Sequence, residues 1–212
     1  MTAPTRASVN ARLARHRWRV EEVQERLLTW FGEHGRSFPW RADSASNYVR
    51  IVSEVLLQRT RAETVAEFFP LFTRRFPSWR RLAAATDGEL RAFLEPIGLW
   101  RRRAASLRAL ATEMNTRRGR FPRDRGEIEE LPGIGQYIAG AVLIFCHDEP
   151  EPLLDVNMAR VLERCFGPRN LVDIRYDPWL QVLSRKVIDH PKAREINWAI
   201  LDLAASTCRR EL

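Results

Sequence analysis

Glu130-Leu131-Pro132-Gly133-Ile134-Gly135-Gln136-Tyr137-Ile138-Ala139-Gly140-Ala141-Val142 decides how this chain of 212 residues is read. A Pro-Gly-x-Gly turn opens directly into an apolar helix, so backbone N–H groups at the helix start are offered to an anion. Leu154-Asp155-Val156-Asn157 follows shortly after. Taken alone, such a turn also serves as a tight connection between two helices.

Outward from the turn, the pattern is helical in both directions. Val20, Val23, Leu27, Leu28 and Phe31 recur at three and four, the face of a helix that begins near His16 and ends at Gly32. His34 to Asn47 reads as a loop containing Phe38-Pro39-Trp40-Arg41, where Pro39 breaks any helix. Further helices are expected at Tyr48–Leu57, Ala62–Phe72, Leu82–Ala85, Glu89–Leu94 with Asp87 as cap, and Arg101–Met114. Asp124–Glu130 and Gln136–Phe145 then flank the turn, and Asn157–Cys165, Pro178–Asp189 and Ala193–Thr207 complete the chain. No stretch reads as a strand and no solenoid repeat is present, which makes the expected fold class all-α.

The formal net charge is +8, and the basic residues are almost all arginine, whose planar fork suits phosphate. Nucleic acid is the partner this charge favours over a protein that is basic by chance. No apolar run reaches the roughly 20 residues needed to span a membrane. Cys146, Cys165 and Cys208 are too widely spaced for a CxxC metal knuckle and odd in number for a disulfide framework, which suits a reducing cytoplasm. The four histidines, His16, His34, His147 and His190, make no i, i+4 pair, so no zinc site is expected. Residues 1–15, rich in Arg, Ser, Thr and Ala, are expected to be a disordered basic tail.

Ile128-x-x-Leu131-Pro132-Gly133-Ile134-Gly135-x-x-x-Ala139-x-x-Val142 looks like a helix-hairpin-helix motif, with Asp155 where one glycosylase superfamily has its aspartate. Phe38-Pro39-Trp40-Arg41, Ser53 to Thr60, and Ile97-Gly98-Leu99 followed by Arg103-Ala104 match in the same order. Over about residues 20–208 the chain resembles the endonuclease III superfamily of base-excision repair DNA glycosylases, most closely the branch acting on thymine or uracil mispaired with guanine. The discriminating position is Tyr137. Bifunctional members have a lysine there, whose amine forms a Schiff base with the sugar, whereas a tyrosine cannot. Adenine-specific members usually carry a serine and an additional domain, for which a chain ending at Leu212 has no room.

The resemblance implies a two-lobed fold with a cleft that takes a base extruded from the duplex. The expected lobes are 47–155, which contains the hairpin, and 16–46 with 156–212. Asp155 is the first catalytic choice, because a carboxylate stabilises a sugar with oxocarbenium character or activates water; it can equally cap the following helix. Glu54, among Val52, Val55, Leu56 and Leu57, suits proton donation or a hydrogen bond to a base edge, or else pairs with Arg50 one turn earlier. Tyr137 is expected to meet the flipped nucleotide or to be a core tyrosine.

DNA contacts are expected at Gly133, Ile134 and Gly135 of the hairpin and among Arg101, Arg102 and Arg103. Gln58 resembles the side chain that fills the gap left by the base, and Leu99 the wedge facing the orphan guanine. Trp40 is expected to brace the pocket. The family typically holds a [4Fe–4S] cluster on four cysteines; Cys208 falls where the first would be and Cys146 and Cys165 lie in other segments, so no cluster is expected. No cofactor is expected to be required, although a monovalent cation at the hairpin carbonyls is implied by the resemblance. The expected entity is a cytoplasmic, nucleoid-associated monomer that binds double-stranded DNA containing a mismatch and hydrolyses the N-glycosidic bond without strong lyase activity. Adenine excision, or DNA binding without catalysis, are the alternatives.

Overall fold

The computed structural model describes residues 5–207, and all regular structure among them is helical. In chain order the helices are α1 (Arg6–Arg15), α2 (Arg17–His34), α3 (Asn47–Leu57), α4 (Ala62–Arg75), α5 (Trp79–Ala83), α6 (Asp87–Leu94) and α7 (Trp100–Thr116). They continue with α8 (Arg125–Glu129), α9 (Gln136–Cys146), α10 (Val156–Phe166), α11 (Pro178–Ile188) and α12 (Ala193–Thr207). Single 3₁₀ turns lie at Pro39–Arg41 and Glu95–Ile97. Hydroxyl and carboxylate side chains start most of the helices by accepting an N–H of the first turn, among them Thr5, Ser46, Ser78, Asp124, Asp155 and Asp177. At α6 the cap is Thr86 rather than Asp87, which lies inside the first turn. None of the described helices is long and apolar enough to cross a membrane.

The described residues form two units. Ser37–His147 is one, and the residues up to Arg36 together with those from Asp148 onward form the other. In the first, α3 packs against α4, α7 and α9, while α5 and α6 lie on α7. Phe68, Phe72, Phe76 and Phe93 form an aromatic cluster with ring centroids 5.3–6.3 Å apart, within the range in which tilted and edge contacts are favourable. Trp40 belongs to this core: it stacks on Phe38 at 4.8 Å and meets Phe69 edge-on at 5.3 Å. That packing carries the Phe38–Arg41 block into this unit, so its boundary precedes position 47. The small residues of α9, with Ala139 and Ala141 fully buried, let its backbone come close to α3.

In the second unit α12 packs on α2 and α10, with α11 against α1, α2 and α10. Buried polar groups tie it together. Asp202, 1% exposed, accepts the backbone N–H of Arg36 at 2.9 Å and its guanidinium at 2.7 and 2.9 Å. Asp177, fully buried, caps α11 and takes the N–H groups of Asn170 and Leu171 at 2.6 Å each. The segment 6–15, expected to be disordered, is a helix. Val9 is buried, and Arg12 lies 4.0 Å over the Trp179 ring while donating to the carbonyls of Phe166 and Pro168. The low apolar content of this segment hid a helix anchored by an arginine instead of an apolar stripe. Asp155 belongs to this unit, because the chain leading to it is held there: the fully buried Asn197 receives the N–H of Leu153 at 2.8 Å and donates to the carbonyl of Glu151 at 3.1 Å. The second boundary therefore falls before 155.

Candidate active site

Within Ser37–His147, the hairpin consists of α8, the turn Leu131–Gly135 and α9. Gly133 has φ +75°, a conformation that L side chains rarely adopt, and a Cβ there would meet the Ser106 Cβ at 3.0 Å. Gly135 is different: its φ is −111°, nothing crowds it, and no side chain caps α9 behind it. Its lack of a side chain therefore serves no internal packing need and leaves the start of α9 accessible to an outside group. Ile134 has a side chain that is 7% exposed and an N–H that donates to the Leu131 carbonyl at 3.1 Å, so within the protein it serves the core and the turn.

Packing of α3 on α9 brings two candidates together. The Tyr137 hydroxyl donates to Glu54 Oε2 at 3.0 Å, and Glu54 is 5% exposed. Arg50 does not serve Glu54 in this arrangement. It directs its guanidinium to the carbonyls of Ala42, Asp43 and Phe145 at 3.2–3.3 Å, joining the loop before α3 to the end of α9.

Gln58 and Leu99 are both exposed, at the C-cap of α3 and the N-cap of α7. Leu99 has φ +52° and is 48% exposed, an unfavourable backbone and an unfavourable environment for an aliphatic residue. Arg103 is not free to meet DNA: it is 4% exposed, and its guanidinium is occupied by the carbonyls of Ile97, Gly98 and Gln58 and by the Thr60 hydroxyl. The exposed members of the arginine run are Arg101, stacked on Trp100, and Arg102.

In the other unit, Asp155 is the N-cap of α10 and accepts the N–H groups of Asn157 and Met158 at 2.9 and 2.8 Å. The Asn157 side chain also donates to Oδ2 at 2.8 Å. Both readings of Asp155 thus start from one geometry, a cap whose carboxylate is fixed in place. Burial pushes its carboxyl above the ordinary carboxylate range, while the donors from Met158 and Asn157 and the charge of Arg160 pull it partly back. Sequence reading passed over Asn157, although its place two residues beyond a capping aspartate puts its amide within reach of the carboxylate. Thr60 and Asn197 carried no comparable local signal, since their partners are distant in the chain.

No group of three or more His, Cys, Asp or Glu among the described residues could hold a metal ion. Cys146 and Cys165 are half-buried, form no disulfide with each other and lie in different units, and Cys208 lies outside the described residues. The described thiols thus do not supply a ligand set for a cluster.

A family model described as HhH-GPD superfamily base excision DNA repair protein matches residues 52–173, a span containing every candidate residue above from Glu54 to Asp155. Thymine-DNA glycosylase of Aeropyrum pernix is 36% identical over 195 residues, covering 90% of this chain and 87% of that protein. Thymine/uracil-DNA glycosylase of Pyrobaculum aerophilum is 35% identical over 192 residues, covering 88% and 83%. The solved structure of a thermostable thymine-DNA glycosylase superposes with a TM-score of 0.83 at 29% identity, covering 92% of this chain and 90% of that one.

Proposed function

The chain belongs to the HhH-GPD superfamily of base excision DNA repair proteins, and from that premise we propose that it hydrolyses the N-glycosidic bond of thymine or uracil mispaired with guanine. The observation that carries this reading is Tyr137 at the start of the hairpin helix, bonded through its hydroxyl to the buried Glu54 of α3. A phenol offers no amine for a Schiff base, so the reaction is hydrolysis alone, and water takes the sugar.

In the proposed reaction the electron pair of the glycosidic bond leaves with the base. Positive charge grows on the sugar ring, and water adds to the anomeric carbon and loses a proton. The Asp155 carboxylate, held by the donors of Asn157 and Met158, stabilises the developing cation or receives that proton. Glu54, oriented by Tyr137, addresses the departing base. Gly133 and Gly135 hold a phosphate, with Gln58 and Leu99 entering the stack. A monovalent cation at the hairpin carbonyls and a monomeric state are consistent with this reading.

Duplexes containing single T·G, U·G or A·G pairs, incubated with the protein and then treated with hot alkali, test it. Breaks at T·G or U·G are expected only after alkali. Breaks at A·G alone would transfer the protein to adenine excision, and salt-sensitive binding without breaks would make it a non-catalytic binder.

A further inference from the structure

Two loops of the Ser37–His147 unit share a feature that also occurs at Arg118, after α7. Each contains a non-glycine residue in the left-handed region, Arg59 at φ +56° after Gln58, and Leu99 at φ +52° after Gly98. Such residues cost about 1 kcal/mol or more each and persist only where the surroundings hold them. One side chain grips the carbonyl immediately before each of them. Arg103 Nη2 donates to the Gln58 carbonyl at 2.6 Å and Nη1 to the Gly98 carbonyl at 2.7 Å. The same two nitrogens also bind the Thr60 hydroxyl at 2.5 Å and the Ile97 carbonyl at 2.8 Å.

The location makes the arrangement costly unless it is needed. Arg103 lies in the first turn of α7, where the helix dipole disfavours a cation, and it is almost wholly buried. Four acceptors on its two terminal nitrogens offset that cost, with only the buried Nε left without an acceptor. A lysine keeps the charge but has three donors on one nitrogen and cannot span two separate loops in the same plane.

We propose that Arg103 is a positioning residue that fastens the Gln58 and Leu99 loops into one rigid reading head, so that extrusion of the target base depends on a guanidinium that is itself buried. The proposal rests on the reading of Gln58 and Leu99 given above. A side chain that fills the vacated stack must already be in place when the base leaves, because loops free to move independently would pay an ordering cost at that moment.

The test compares wild type with Arg103→Lys in single-turnover cleavage of uracil paired with guanine in a duplex and of the same uracil in an unpaired bubble, where extrusion requires little work. Unstacking is followed in parallel by the fluorescence of 2-aminopurine beside the target. The expected result is a loss of about 100-fold on the duplex, at least tenfold smaller on the bubble, with a weakened fluorescence rise. Leu99→Ala should cost clearly less in the Arg103→Lys background than in wild type, because the two act as a unit. Equal losses on duplex and bubble, or additive effects of the two substitutions, would overturn the proposal. If Arg103→Lys does not fold, Thr60→Val removes only the hydroxyl acceptor and carries the same comparison. A wild type that cleaves neither substrate would instead sink the glycosidase reading on which the clamp depends.

Discussion

The Tyr137 hydroxyl donates to the buried Glu54 carboxylate at 3.0 Å, joining the hairpin helix to α3. Tyr137→Phe keeps the ring and removes that bond, leaving Glu54 less well oriented. Cleavage should fall about tenfold, and Glu54→Gln should add little more in the Tyr137→Phe background. A double-mutant cycle of single-turnover rates checks this. Full additivity would mean that the pair does not act together.

Asp155 carries an opposed stability and activity effect. Its carboxyl lies above the ordinary range because of burial, so the native state binds the proton more tightly than the unfolded chain does. The stability this contributes is present at acid pH and is lost as pH rises through the raised native value. The ionised form of the group is therefore a cost to folding. Asp155→Asn, which can still cap α10, should raise the melting temperature at pH 7 while turnover falls by about 100- to 1000-fold. In wild type the acid limb of the rate profile should lie above the ordinary carboxylate range. Melting curves and rates from pH 4 to 8 read both effects.

The two hairpin glycines should separate stability from binding. Gly133→Ala forces a Cβ onto the Ser106 Cβ at 3.0 Å in a left-handed backbone, and should destabilise the fold by about 1–3 kcal/mol. Gly135→Ala meets no neighbour and has an ordinary φ, so it should fold normally. It should nevertheless weaken duplex affinity, because its methyl stands where the phosphate is proposed to approach the start of α9. Urea melts and filter binding at two salt concentrations distinguish the two.

Arg36 is the charge partner of Asp202, which is otherwise sealed from water. Arg36→Ala removes the guanidinium from a buried carboxylate that keeps the backbone N–H of residue 36, and should destabilise the fold by about 3 kcal/mol in denaturant unfolding. Asp202→Asn in the same background should recover much of it, since a neutral amide needs less solvation.

Nearly all the helices were readable from sequence, to within a few residues at their ends, because they bury an apolar stripe at helical spacing and most of them start at a side chain that accepts a first-turn N–H. The exception was α1, which an arginine on a tryptophan face anchors instead. The candidate site was readable where chemistry is local: the hairpin glycines, the capping Asp155, and a glutamate isolated in an apolar helix.

Sequence by itself therefore determined an all-helical chain with a Pro-Gly-x-Gly turn and the residue types for glycosidic chemistry. Only the tertiary structure decided which of those residues are available. It put the Ile134 side chain in the core, buried the Arg103 guanidinium among the carbonyls of two loops, directed Arg50 to backbone carbonyls and bonded Glu54 to Tyr137. The physical reason is common to all four. A local pattern gives the face of a helix on which a residue lies, but the partner of a buried polar group is set by whichever distant carbonyl or carboxylate packing brings within hydrogen-bonding distance.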